Sequence, residues 1–296
     1  MKETDPLYDV KMQLVDAVEA EDRMCLRTNM PIPSIHQINE LIEQIKCVLF
    51  PDFFLAKAHR IHSRKSQVDN SVEKIFNILR QEIAASMVFC TDCEALDSDK
   101  ADEIARQFIF QLPKIKHLLL TDIEAVTMRD PAVDNYGEVI LSYPGIQVMI
   151  HHRTAHELYK LGVPVLPRII MEVAHSQTGI DIHPAAEIGE YFAIDHGTGI
   201  VVGKTTIIGS HCMLYQGVTL GAKNFTFNEK GLPIDDPRHP ILEDNVTVYS
   251  NSSILGRITI GHHTVIGGNV WIDTDVPPYS VITQAAPLQK RDETDE

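Results

Sequence analysis

Residues 242–272 read LEDNVTVYSNSSILGRITIGHHTVIGGNVWI, and their phase decides the fold. Every sixth residue is aliphatic: Leu242, Val248, Ile254, Ile260, Ile266 and Ile272. Aliphatic residues are about a quarter of a chain, so six in fixed phase arise by chance about once in several thousand trials. A triangular solenoid explains them. Each hexad forms one short flat side, its aliphatic residue points to the axis, and a small residue or glycine permits the turn to the next side. Three hexads close a coil, and coils stack at about 4.8 Å.

Towards the N-terminus the pattern continues as Val202, Ile208, Leu214 and Leu220, and before that as Ile182, Ile188 and Ile194. Two interruptions separate these runs. The frame slips by two residues between Ile194 and Val202, and an insertion occupies about 223–240. Glycine marks the same territory: of 16 glycines, only Gly137, Gly145 and Gly162 precede residue 179. A solenoid has side walls and few concave pockets of its own. Sites are therefore expected between neighbouring coils of an oligomer, with the insertion reaching across such a cleft.

The first half has the helical period. Ile35, Ile38, Ile42, Ile45 and Leu49 share one stripe, Ser34 is placed to cap it and Pro51 to end it. A second helix is expected over about 71–89, with Val72, Ile75, Ile78, Leu79, Ile83 and Met87 inward. Residues 100–125 predict one or two more, interrupted near Pro113, and 145–161 and 165–177 predict shorter ones. The chain of 296 residues thus divides into a helical N-terminal domain (1–178), a β-helix domain (179–284) and an acidic, disordered tail (285–296).

Lys and Arg total 26 against 41 Asp and Glu, a net charge of −15, which disfavours an ordinary nucleic-acid binder. No run approaches the roughly 18 apolar residues of a membrane span, and residues 1–9 lack the apolar core of a secretory signal. Five cysteines at irregular spacing (Cys25, Cys47, Cys90, Cys93, Cys212) read as reduced thiols, so a cytoplasmic location is expected. The lone CxxC of Cys90 and Cys93 has no second pair to complete four metal ligands.

Polar residues gather where the repeat is broken. Asp195 and His196 sit at the slip, Asp181 opens the first coil, Arg238 and His239 close the insertion, and Asp130 ends the helical region. Local rules tend to be broken at functional sites. An imidazole titrates near neutrality, and a carboxylate on its other ring nitrogen fixes the tautomer and stabilises the imidazolium.

The motifs IHPAAEIG (182–189), DHGTGIVVG (195–203), YQGVTLGA (215–222), RHP (238–240) and DPAV (130–133) resemble those of the serine O-acetyltransferases. The resemblance implies a two-part α+β fold: an all-α N-terminal domain, then a left-handed parallel β-helix with an extruded loop. It implies acetyl transfer from acetyl-CoA directly to the hydroxyl of L-serine, giving O-acetylserine, the precursor of cysteine. His196 resembles the general base and Asp181 its dyad partner. Asp130 and Asp195 match the carboxylates that bind the serine amino group. Arg238 matches the residue that pairs with the serine carboxylate, and His239 a second histidine contacting substrate. Ala222, Ser250 and Gly268 match positions lining the acetyl-CoA groove between subunits of a trimer or a dimer of trimers, with Lys223 available to phosphates. Arg153 and His156 are expected to support the active-site face. No metal and no tightly bound cofactor are implied. Cysteine, which shares serine's amino and carboxylate groups, is expected to compete with it.

This chain departs from the family pattern in places. Gly221-Ala222 stands where Gly-Gly is common, and Lys204 where Glu is usual. Many members end in an isoleucine that docks in cysteine synthase. This chain ends Asp292-Glu293-Thr294-Asp295-Glu296, which speaks against that complex. Two other readings compete. A trimeric β-helix carbonic anhydrase would bind zinc through three histidines, for which His196, His211 and His239 are available, but that class lacks a long helical N-terminal domain. A non-catalytic scaffold member would not need the intact set of Asp181, Asp195, His196, Arg238 and His239.

Overall fold

The computed structural model describes residues 7–16, 31–55, 61–89 and 98–284. Cys25, Cys90, Cys93 and the 285–296 tail lie outside them. The helices are α1 (Tyr8–Asp16), α2 (Ile35–Leu49), α3 (Pro51–Phe54), α4 (Ile61–Ser86, followed by a 3₁₀ turn Met87–Phe89), α5 (Ser98–Arg129), α6 (Tyr136–Ser142), α7 (Pro144–Lys160) and α8 (Leu166–Thr178). Packing divides the chain into two compact units, 1–110 with 161–167, and 111–160 with 168–296. The change from helix to strand falls at 178–181. The helical residues 111–160 and 168–178 nevertheless pack as part of the solenoid's unit.

In the first unit the stripes read from sequence form the core except at their ends, where Ile35 is exposed and Val72 and Met87 are half-buried. Ile38, Leu41, Ile42, Ile45 and Leu49 of α2 are buried, as are Ile75, Ile78, Leu79 and Ile83 of α4. Each such side chain contributes about 1.5–3 kcal/mol. Ser34 caps α2, its hydroxyl accepting the Gln37 N–H at 3.4 Å. Two helices differ from expectation. The α4 helix begins at Ile61, ten residues before the predicted start at 71, and α5 runs unbroken through Pro113. An internal proline removes one ladder hydrogen bond and costs about 3 kcal/mol. Pro113 is exposed, so water can reach the carbonyl it frees.

The second unit contains a parallel β-solenoid of three faces. Strands β1 (Asp181–Ile182), β4 (Val201–Val202), β7 (Thr219–Gly221), β10 (Ser253–Leu255) and β13 (Trp271–Ile272) stack as the first face. Strands β2 (Glu187–Ile188), β5 (Ile207–Ile208), β8 (Ile241–Leu242) and β11 (Thr259–Ile260) make the second. The third holds β3 (Ala193–Asp195), β6 (Met213–Tyr215), β9 (Thr247–Val248), β12 (Val265–Ile266) and β14 (Val281–Ile282). The pairings Asp181–Val201, Val201–Thr219, Thr219–Ser253 and Ser253–Trp271 give turns of 20, 18, 34 and 18 residues. Eighteen is three hexads. The first turn carries two extra residues, matching the slip, and the third carries the insertion.

The hexad residues fill the prism. All are buried except Ile188, which is half-buried on the edge strand of the second face. The second-to-third corner turns through left-handed residues in successive coils, Tyr191, His211, Asn245, His263 and Tyr279. Their rings stack, Tyr191 on His211 at 4.4 Å and His263 on Tyr279 at 5.0 Å.

The flanking helices are bolted to the first coil by one buried ion pair. Arg153 of α7 reaches Asp122 of α5 at 3.0 Å, with the two side chains 4% and 0% exposed. Arg153 also donates to the carbonyls of Ile188 (2.5 Å) and Gly189 (2.7 Å), and Asp122 accepts the Phe192 N–H at 3.1 Å. His156 bonds the Pro184 carbonyl through Nδ1 at 2.9 Å and stacks on His152, whose burial pushes its pKa well down. No helix among the described residues is long and apolar enough to cross a membrane.

Candidate active site

The two extra residues of the first turn are His196 and Gly197. Asp195 pairs with Tyr215, and Gly217 N bonds Thr198 O, so nothing in the second turn corresponds to the residues between. Both have left-handed backbones, φ 57° and 86°. A Cβ on Gly197 would lie 2.5 Å from Ile180 Cδ1 and 2.9 Å from Ile194 Cγ2. Glycine thus lies flat on the core, and His196 projects with its side chain 71% exposed.

Two carboxylates assemble around it at this third-to-first corner. Asp195 Oδ1 lies 3.7 Å from His196 Nε2. Asp130 follows the last residue of α5, Arg129, whose guanidinium donates to the His211 carbonyl at 2.7 Å and so ties the helix end to the solenoid. Asp130 Oδ1 accepts the Ala132 N–H at 2.8 Å and Oδ2 accepts the Tyr143 hydroxyl at 2.7 Å. Those donors hold the Asp130 carboxyl below the usual carboxylate range, with the charge of His196 adding to them. The same bond, reinforced by Asp195, pushes Tyr143 up to about 12. Asp130 and Asp195 together concentrate negative charge beside His196, a setting that favours an ammonium group. Sequence reasoning missed Tyr143, which sits in the short link between α6 and α7 with no motif to mark it.

Asp181 starts β1, two residues beyond the glycine that ends α8. Its carboxylate makes no hydrogen bond with His196 in the single chain. Glu172 and His175 of α8 lie beside it, with ligand-type atoms all within 4.8 Å of one another.

Arg238 and His239 stand at a different corner, the first-to-second, where the insertion returns to the wall. Thr205 organises them: its Oγ1 accepts the Arg238 N–H at 2.9 Å and the His239 N–H at 3.1 Å. His239 Nδ1 lies 2.9 Å from that Oγ1 and accepts the Thr205 N–H at 3.2 Å. Burial, with Arg238 and Arg257 adjacent, pushes the His239 pKa down to about 4. Arg238 Nη1 donates to the Asp236 carbonyl at 3.1 Å and lies 3.5 Å from Asp235, while its Nε is enclosed and has no acceptor among the described residues. Lys204, where the family pattern has Glu, pairs with Asp235 and so anchors the insertion.

The positions expected to line an acetyl-CoA groove divide in the same way. Ser250 and Gly268 stack below His196 in one corner column, through Gly217 N to Thr198 O, Asn251 N to Gln216 O and Asn269 N to Ser250 O, each 2.9 Å. A Cβ on Gly268 would stand 3.3 Å from Ser250 O, so the column presents bare backbone there. Ala222 follows β7 at the corner of Arg238. Lys223 pairs with Asp273 at 2.8 Å. The two corners are separated by the length of the first face, one side of about six residues, which spans at most roughly 20 Å. His196, His211 and His239 stand on three different corners of the prism, so one chain does not gather them as zinc ligands.

Comparisons with known proteins bear on the family and the fold. Residues 65–149 match the family described as "Serine acetyltransferase, N-terminal". The chain is 41% identical over 263 residues to the "Serine acetyltransferase, plasmid" of Synechococcus elongatus, covering 86% of this chain and 82% of that one. It is 42% identical over 165 residues to the Bacillus subtilis serine acetyltransferase, covering 56% and 72%. Among solved structures, Entamoeba histolytica serine acetyltransferase isoform 3 in complex with cysteine superposes with a TM-score of 0.73 at 32% identity, covering 91% of this chain and 88% of that one. Neisseria gonorrhoeae serine acetyltransferase in complex with serine gives 0.55 at 26% identity, covering 84% and 95%.

Proposed function

The chain belongs to the serine acetyltransferase family, and we propose that it transfers the acetyl group of acetyl-CoA to the hydroxyl of L-serine. In this reading His196 takes the hydroxyl proton as the oxygen attacks the thioester carbonyl. The tetrahedral intermediate collapses to O-acetylserine, and the CoA sulfur leaves with the proton. Asp130 and Asp195 hold the serine ammonium beside His196. Arg238, a planar bidentate donor, takes the carboxylate. Holding the hydroxyl at the thioester turns a bimolecular encounter into an oriented one.

The observation that carries this reading is the placement of His196 on the two-residue excess, exposed and flanked by Asp130 and Asp195. A second observation bears on assembly. His196, Ser250 and Gly268 line one corner, whereas Arg238, His239 and Ala222 line another. We infer that the site is completed between subunits, the first corner of one chain meeting the second corner of its neighbour. The acetyl-CoA arm then lies along the bare backbone column below His196. In the same assembly Asp181, which has no hydrogen bond to His196 in one chain, serves as its dyad partner once the interface orders the ring. The β-helix supplies most of the proposed site, and the helical residues that pack with it supply Asp130.

A steady-state assay of free thiol tests the function. Acetyl-CoA with L-serine should release thiol at an enzymatic rate, and a sugar acceptor should be poor, because a sugar offers no carboxylate to Arg238; homoserine serves as the amino-acid comparison. Equal turnover with a sugar would overturn the assignment. Light scattering tests the assembly: a monomer that retains full turnover would refute the shared site.

A further inference from the structure

The environment of His239 fixes which of its nitrogens carries the proton. A peptide N–H can only donate, and the Thr205 N–H points at His239 Nδ1. That nitrogen must therefore be an acceptor. The Thr205 hydroxyl agrees, because its oxygen already accepts the N–H groups of Arg238 and His239, leaving its own hydrogen free for Nδ1. A proton on Nδ1 would face two donors at once. The neutral ring consequently carries its hydrogen on Nε2, which makes no hydrogen bond among the described residues and is not enclosed.

The surroundings lock that ring in place. A Cβ on Gly203 would lie 1.9 Å from His239 Cδ2 and 2.1 Å from Nε2, so only glycine leaves the ring its seat. Arg257 donates to the Thr205 carbonyl at 2.6 Å and to the His239 carbonyl at 3.1 Å, which clasps the two backbone segments together.

We propose that Thr205 is a positioning residue that holds His239 as the Nε2–H tautomer, so that His239 presents a neutral hydrogen-bond donor to an acceptor oxygen of the bound substrate and takes no part as a base. This rests on the acetyltransferase reading, and it separates the roles of the two histidines. His196 is exposed with neither ring nitrogen tied to a donor, as a base requires. His239 has its basic nitrogen occupied. The depressed pKa of His239 agrees, since a neutral ring is the form that this arrangement satisfies.

The test uses the full chain labelled with ¹⁵N-histidine, with and without Thr205→Val and Thr205→Ser. In the unaltered protein His239 should show an unprotonated-type Nδ1 and a protonated-type Nε2 resonance. Thr205→Val removes the hydroxyl and its three hydrogen bonds. The His239 signals should then shift or broaden, and KM for serine should rise roughly five- to tenfold with a smaller change in kcat. Thr205→Ser should restore both. A protonated Nδ1 in the unaltered protein overturns the proposal, as does a valine variant with unchanged His239 signals and KM. The resonances are read without turnover. A chain that fails to acetylate serine but shows the predicted tautomer would refute the function and the substrate contact, and leave the hold of Thr205 on the His239 tautomer standing.

Discussion

Removing the carboxylate of Asp122 isolates the bolt between the helices and the first coil. Asp122→Ala leaves the Arg153 guanidinium, 4% exposed, without its counter-ion, and leaves the Phe192 N–H without its acceptor. Breaking a buried pair from one side costs about 3–5 kcal/mol. Replacing both partners by apolar residues is often close to neutral. Here it should not be, because Arg153 also serves the carbonyls of Ile188 and Gly189. Two half-buried acceptors left unpaired cost up to about 1–3 kcal/mol each, so Asp122→Leu with Arg153→Leu should still lose about 2–6 kcal/mol. The assay is local, because a chain of two units need not unfold in two states. Hydrogen exchange should accelerate in residues 188–193 by two orders of magnitude or more in Asp122→Ala, with the α2 and α4 core unaffected. Unchanged exchange at Phe192, or a double variant as stable as the parent, would refute the reasoning.

His196→Ala should lower kcat by roughly 10²–10⁴-fold, the usual size of a general-base contribution, and near-normal turnover in the thiol assay would sink that role. Arg238→Ala should weaken serine binding more than acetyl-CoA binding, and an effect confined to the CoA Michaelis constant would refute the carboxylate contact. His183 and His239 are both pushed down to about 4 by burial, with neighbouring cations adding to it. An unfolded histidine titrates near 6.5, so the unfolded chain takes up protons first as pH falls. Their contribution is full above about pH 6.5 and is lost between there and about pH 4, on the order of 2–4 kcal/mol for the pair after screening. Thermal melting of His183→Gln should therefore lose less Tm over that window than the parent, and parallel curves would count against it.

The solenoid was legible because its signal is local. Each aliphatic residue answers to the one six before it, and the observed turns of 18 residues repeat that phase. Pro113 misled because proline is read as a break, whereas its exposed place on α5 lets the helix run on. Asp122–Arg153 and Thr205–His239 were not legible as pairs, since their members are 31 and 34 residues apart and no period connects them. The start of α4 was missed where polar residues, from His62 to Gln67, give the helix no apolar stripe to announce it.

The division of the site between corners could have been drawn from phase alone. Residues just after a third-face strand belong to one corner, and residues just before a second-face strand to another. His196 follows β3 directly, while Arg238 and His239 immediately precede β8. With an 18-residue turn of three sides, only an insertion that shifts the phase by whole sides would move one of these onto the other's corner. The insertion before β8 exceeds a regular turn by 16 residues, yet it returns to the corner it left, with Ile207 paired to Ile241 as the wall resumes. One chain therefore keeps His196, the proposed general base, and Arg238, the proposed carboxylate ligand, a face apart. A site that uses both has to draw them from two chains, and so an activity that depends on His196 and Arg238 together should vanish when the subunits are separated even though each solenoid remains folded.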